Sequence, residues 1–184
     1  MTRPLLIELN ECSLERYRRQ VAPWLLTLSS LQTAFRKLVG ATVSMVEDPL
    51  VRDWLSGVER AAHEHETAVG ELYRAFDIPR TPPPLLPTLA GAVMSGAREL
   101  VGQVEGRLSG ASGAAWRNLR QVQLSNLDSM SAFAVAQQFG LAHGRPQVVE
   151  IAFPIMHQKS EQQLLLQELF LEFATDAVLG GSDI

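Results

Sequence analysis

The densest run of metal-ligating side chains in this chain is His63-Glu64-His65-Glu66. Imidazole nitrogen and carboxylate oxygen are ligands that iron, manganese and zinc accept, so the run asks to be tested as a metal motif. On a helix, residues two apart point about 160° from each other, and His63 and His65 cannot serve one ion. Periodicity puts His65 in the middle of an apolar stripe, with Glu59 and Glu66 on its flank and His63 farther out. Asp128 and His157, on later segments, complete a candidate iron or manganese ligand set of His65, Glu66, His63, Glu59, Asp128 and His157. Covalent chemistry finds no foothold. Cys12 has no histidine near it in sequence, and neither a Gly-rich phosphate loop nor a Ser-x-x-Lys pattern is present, so no catalytic residue is assigned.

The elements that must carry these groups are helices. From Trp24 onward Leu25, Leu28, Gln32, Phe35, Val39, Thr42 and Val46 step alternately by three and four, the seam of a packed helix. Asp48-Pro49 predicts the cap and first turn of a second helix. Its stripe is Val51, Trp54, Val58, Ala61, Ala62, His65, Val69, Leu72 and Phe76, ending before Pro79. Pro79–Pro87 holds five prolines in nine residues, a stiff extended crossover. A minor helix over 86–108 follows, weakened by Gly91, Gly96, Gly102 and Gly106. A third long helix over 114–142 shows Leu119, Gln123, Leu127, Met130, Ala134, Gln137 and Leu141 on one face. A fourth, over 146–179, turns Val148, Ile151, Ile155, Gln158, Gln162, Leu165, Leu169 and Phe173 inward, with Pro154 predicting a kink or bulge. Short links make each successive pair antiparallel, and one long middle connection suits a ferritin-like four-helix bundle. The expected organisation is an arm or short helix over 1–22 and an all-α bundle over 23–180.

Polar interruptions of the four stripes decide what the bundle interior can do. Carboxylate-bridged di-iron sites need glutamates there, because oxidised iron requires anionic oxygen to balance its charge. Here the interruptions are Gln32, His65, Gln123, Gln158 and Gln162. An amide oxygen accepts hydrogen bonds but carries no charge. This favours a hydrogen-bonded layer that sets helix register over a metal centre, and predicts no cofactor, with iron or manganese as the alternative. A bulge near Pro154 that rotates His157 inward is the route by which a metal site could still assemble.

Three places resemble the YciF-like family of ferritin-like proteins, small bacterial stress-associated bundles. They are His63-Glu64-His65-Glu66-Thr67 followed by Leu72, Phe76 and Pro79; Met94-Ser95-Gly96-Ala97-Arg98-Glu99-Leu100; and His157-Gln158-Lys159-Ser160-Glu161. The resemblance covers roughly residues 50–175 and implies a ferritin-like fold, with His63 and Glu66 as the ligands that survive. The family's Glu-His-Tyr-Glu motif on the third helix is absent, Gln32 stands near its first glutamate, and His157-Gln158 replaces its Glu-Glu pair.

Length and composition bound the remaining possibilities. The 184 residues suit one domain with a core of its own, 46% hydrophobic and 20% charged. A net charge of −4 spread along the chain predicts no nucleic-acid partner, and the short Arg16, Arg18, Arg19 cluster is expected to be a solvated helix face. No apolar run spans a membrane, the N-terminus lacks a secretory pattern, and the single Cys12 predicts a reducing, cytoplasmic setting. The expected function is a non-catalytic, stress-related bundle acting through its surfaces as a homodimer or with a protein partner. The alternatives are a metal-binding protein or oxidase, and a binder of an apolar ligand held among Trp54, Trp116, Phe133 and Met130.

Overall fold

The computed structural model describes residues 11–80 and 111–179, and among these every regular element is an α-helix. They are α1 (Glu11–Val43), α2 (Pro49–Ala75), α3 (Ala111–Ala142) and α4 (Pro146–Leu179). The expected proline-rich crossover beyond residue 80 and the minor helix over 86–108 lie outside the described residues. None of the described helices is long and apolar enough to cross a membrane.

α2 starts where the sequence predicts. The Asp48 carboxylate accepts from the Leu50 and Val51 backbone N–H groups, and Pro49 occupies the first turn. Arg52 folds back across the α1–α2 turn and donates to the Val46 carbonyl at 2.9 and 2.7 Å. α3 ends in a short turn where Gly144 takes φ +61°, and the Arg145 N–H donates to the Gly140 carbonyl at 2.8 Å. Arg145 then reaches the Ala75 carbonyl and the Asp77 carboxylate, tying this turn to the end of α2.

α1 departs from expectation at Pro23, where a boundary was predicted. The helix runs straight through it. Proline removes one helical hydrogen bond and crowds the preceding turn, at a cost of about 3 kcal/mol. Burial on the near side offsets that cost, because Tyr17 and Val21 are both buried. Tyr17 packs against the rings of Phe76 and His143, 6.1 and 4.0 Å between centroids. The described part of the expected N-terminal arm is therefore the first turns of α1. Pro154 is likewise accommodated inside α4 without a break in the helix.

Cross-helix contacts give the directions. Gln32 reaches the Ala62 carbonyl, Trp24 the Ala132 carbonyl and His65 the Gln158 amide, while Arg145 meets Ala75. α1 thus packs against α2 and α3, α4 packs against α2 and α3, and each of these pairs is antiparallel. α2 and α3 occupy opposite corners and run the same way. The end of α2 and the start of α3 are consequently at opposite ends of the bundle.

The α1 stripe is buried as predicted from Leu25 to Val46, and so is the α2 stripe from Val58 to Phe76. The face of α3 is rotated from the predicted one, whereas α4 buries Val148, Ile155 and Gln162 as predicted and departs at Gln158 and Leu165. On α3, Leu127 and Leu141 are exposed, and the core is met by Leu119, Val122, Ser125, Asn126, Ser129, Ala132, Phe133 and Ala136. On α4, Leu165 is exposed and Leu166 buried. Small residues explain the α3 result, since they let neighbouring helices approach. A Cβ added at Gly140 would sit 2.8 Å from Val148 Cγ1 on α4. Gly140→Ala should therefore lower stability by about 1–3 kcal/mol through overpacking, measured by urea unfolding, whereas Gly57→Ala, where a Cβ meets open space, should not.

Candidate functional site

Apolar packing is interrupted once along the bundle. One buried cluster contains Tyr17, Leu25, Phe76, Phe133 and Ile155, the other Phe35, Leu55, Leu119, Val122 and Leu166. Between them each helix contributes polar side chains: Gln32 from α1, His65 from α2, Asn126 and Ser129 from α3, and Lys159 and Gln162 from α4, all buried. Three or four residues separate these members from their apolar neighbours on the same helix, so each shares its helix's inward face.

Gln32 is the best satisfied of them. Its amide N–H donates to the Ala62 carbonyl at 2.7 Å, and its oxygen accepts from the Ser129 hydroxyl at 2.7 Å. One side chain of α1 thereby holds both α2 and α3. Asn126 does the same for α3 and α4, donating to the Lys159 carbonyl at 2.9 Å and to Gln163 Oε1 at 3.0 Å. His65 closes the circuit between α2 and α4, with Nε2 2.8 Å from Gln158 Oε1. With that oxygen as acceptor, the ring proton sits on Nε2 and Nδ1 is left buried without a partner. Burial, together with the charge of the nearby Lys159, pushes the His65 pKa down to about 4.

Lys159 is the residue that pattern reading did not single out. Its side chain is wholly inaccessible to solvent. The ammonium lies 3.9 Å from the centre of the Phe35 ring and 3.4 Å from Asn126 Oδ1. Ring face and amide oxygen both favour a cation, but neither supplies a full negative charge. Burial pulls its pKa down to about 7. A signal was present in the sequence: Ala152, Ile155, Lys159, Gln162 and Leu166 form an unbroken three-four series.

Of the residues expected in the polar layer, Gln32, His65 and Gln162 are buried, and the other two are placed differently. Gln123 is only half-buried, its place taken by Asn126 and Ser129 because α3 presents a different face. Gln158 is an exposed residue on α4 whose amide oxygen still reaches His65 at the rim of the layer.

The predicted metal ligands are not brought together. His63 is exposed. Glu66 sits on the α1–α2 flank, accepting from the Thr33 hydroxyl and paired with Arg36, and these two partners hold its pKa below the usual carboxylate range against the opposing effect of burial. Glu59 folds over Gly40 of α1, its Oε1 2.6 Å from where a Cβ there would lie. Asp128 is half-buried on α3. His157 stays on the outside of α4, 3.6 Å from Glu161, and no bulge turns it inward. Among the described residues no three His, Cys, Asp or Glu side chains converge on a common point.

The proposed aromatic ligand box is also dispersed. Phe133 is buried in one cluster and Trp54 packs on the other, while Trp116 stacks on Phe170 at 5.4 Å between centroids. Comparison with protein-family models, curated proteins and solved structures finds no match to this chain.

Proposed function

We propose that this protein is a non-catalytic bundle of ferritin-like layout, acting through its outer surfaces as an oligomeric interaction protein. Helix directions support the layout, since two antiparallel pairs with α2 and α3 parallel suit a bundle with a single crossover. The observation that carries the reading is Lys159. Where a di-metal bundle needs several carboxylates, this interior offers a lysine, amides, a hydroxyl and one imidazole. That donor set does not fit iron or manganese. Lys159 supplies no negative charge and in its protonated form repels a divalent cation, and the neutral amides bring no charge to hold one. Its chemistry is mutual hydrogen bonding, which makes four helices agree on one register.

Metal analysis tests this directly. After purification and exhaustive dialysis, the protein should hold no stoichiometric iron, manganese or zinc, and its Tm should not move when these ions are added. Stoichiometric retained metal would defeat the reading in favour of a ferritin-like metalloprotein with an unusual ligand set.

A further inference from the structure

We propose that α2 and α4 meet at a pH-sensitive seam, where protonation of the buried Lys159 amine parts α4 from α2 while α4 stays packed on α3. The bundle is stitched unevenly. Gln32, with the contacts of Glu66 to Thr33 and Arg36, binds α1 to α2. Gln32 and Trp24 bind α1 to α3 through the Ser129 hydroxyl and the Ala132 carbonyl. Asn126 holds α3 to α4 by two hydrogen bonds, and Gly140 admits Val148 of α4 close to the α3 backbone. Among the described residues, α2 and α4 pack against each other least of the four adjacent pairs. Part-way along that seam His65 meets Gln158, a residue exposed to solvent. Toward the end of α2 a groove of about 410 Å³ opens between the two helices, with Glu71, Arg74 and Ala75 on one side and Gln147, Glu150 and Ile151 on the other.

Lys159 supplies the driving force. It follows Gln158 by one position, and its charge acts on His65 across the seam. In the closed bundle its amine has the Phe35 ring and a 3.4 Å contact to Asn126 Oδ1, too little to solvate an ammonium. The charged and titratable groups of the surrounding elements do not neutralise it. Glu66 of α2 and Arg36 of α1 pair with each other, and His157 and Glu161 of α4 are exposed. Asp128 follows Asn126 by two positions, about 200° round α3. His65, the group that faces the lysine, is itself a cation when protonated. Parting the least packed pair is therefore the smallest rearrangement that brings water to the ammonium. Lys159 releases its proton at about 7 in the closed bundle and at the ordinary 10.5 in water, so opening should gain about tenfold for each unit that pH falls between these values. A charge on His65 extends the response to more acid pH.

Thiol labelling at buried positions tests the proposal on the full chain carrying Cys12→Ser. Ala61 is buried one turn before His65 on the same side of α2, and Ala132 is buried on α3 beside Trp24 of α1. Ala61→Cys and Ala132→Cys are each reacted with an aromatic disulfide reagent, and each rate is divided by that of a free thiol at the same pH. Ala61→Cys should react at least tenfold faster than Ala132→Cys and respond little to low urea, as a local opening does. Its corrected rate should rise about fiftyfold from pH 9 to pH 7. Adding Lys159→Met should remove that rise. Ala68→Cys, half-buried on the same side of α2, serves if Ala61→Cys loses helicity. Equal corrected rates at the two sites with the same urea dependence would overturn the seam, because opening would then require the whole fold. A corrected rate that ignores pH, or a rise that survives Lys159→Met, would overturn the part given to the lysine.

Discussion

Lys159→Met is expected to raise the stability of this protein by about 5 kcal/mol at pH 6, the largest single change the structure implies. The unfolded chain holds the lysine proton up to the ordinary value of 10.5, whereas the folded protein releases it at about 7. Each unit of difference corresponds to about 1.4 kcal/mol. Between pH 7 and 10.5 the unfolded state binds more protons, so stability rises with pH, and below about 7 the full penalty is in force. Methionine keeps most of the length and the apolar character of the lysine stem and removes the group that must be desolvated. His65 acts in the same direction lower down, because its folded pKa of about 4 lies below the ordinary 6.5 and stability falls further as pH drops through that window. The raised Tyr17, pushed to about 12, and the raised Tyr73 oppose any gain above pH 10, where the unfolded chain loses its phenolic protons first. Urea titrations from pH 5 to 10.5 should therefore show the wild type most stable near pH 10. Lys159→Met should flatten the curve above pH 7 and shrink the His65 step without abolishing it, because burial is the larger cause of that shift. An unchanged curve would show that the lysine reaches solvent or an anion.

Gln32→Ala should act in the opposite sense, lowering stability by about 3 kcal/mol at any pH. It removes two buried hydrogen bonds, strands the Ser129 hydroxyl and opens a cavity where α1, α2 and α3 meet. Ser129→Ala alone should cost about 1 kcal/mol, since one of the two Gln32 bonds survives. The pair should be non-additive by about 1 kcal/mol in a double-mutant cycle read by urea unfolding. Additivity would mean that the amide and hydroxyl do not hold the helices together. A loss confined to α1 in hydrogen exchange, rather than shared by α2 and α3, would carry the same message.

Sequence periodicity was most informative where helices present one apolar face. Every member of the α1 seam from Leu25 to Val46 is buried, and Asp48 caps α2 as its chemistry requires. The α3 face was misread for a physical reason. Large apolar residues lie all round α3, with Leu124, Leu127, Val135 and Leu141 exposed, while its core face is built largely from Ser125, Ser129, Ala132, Ala136 and Gly140. Small residues contribute close approach, which hydropathy does not register. Lys159 escaped for a related reason. A lysine is normally on the surface, so its place in the series from Ala152 to Leu166 was outweighed by its charge. The layer is therefore one of amides, hydroxyl and imidazole with a buried lysine at its level.

That lysine also gives the amides their meaning. Glutamines alone could be the remnant of a metal site or a device for register. A lysine at their level, over the Phe35 ring and beside Asn126, weighs against an ion there and leaves helix alignment as the layer's work. The most direct measurement is the titration of Lys159 itself, followed by the carbon-13 resonance of its Cε in selectively labelled protein and assigned by its loss in Lys159→Met. A midpoint near 7 is expected, far below that of exposed lysines. A midpoint at or above 10.5 would contradict it, because such a lysine would have water or a carboxylate at its side.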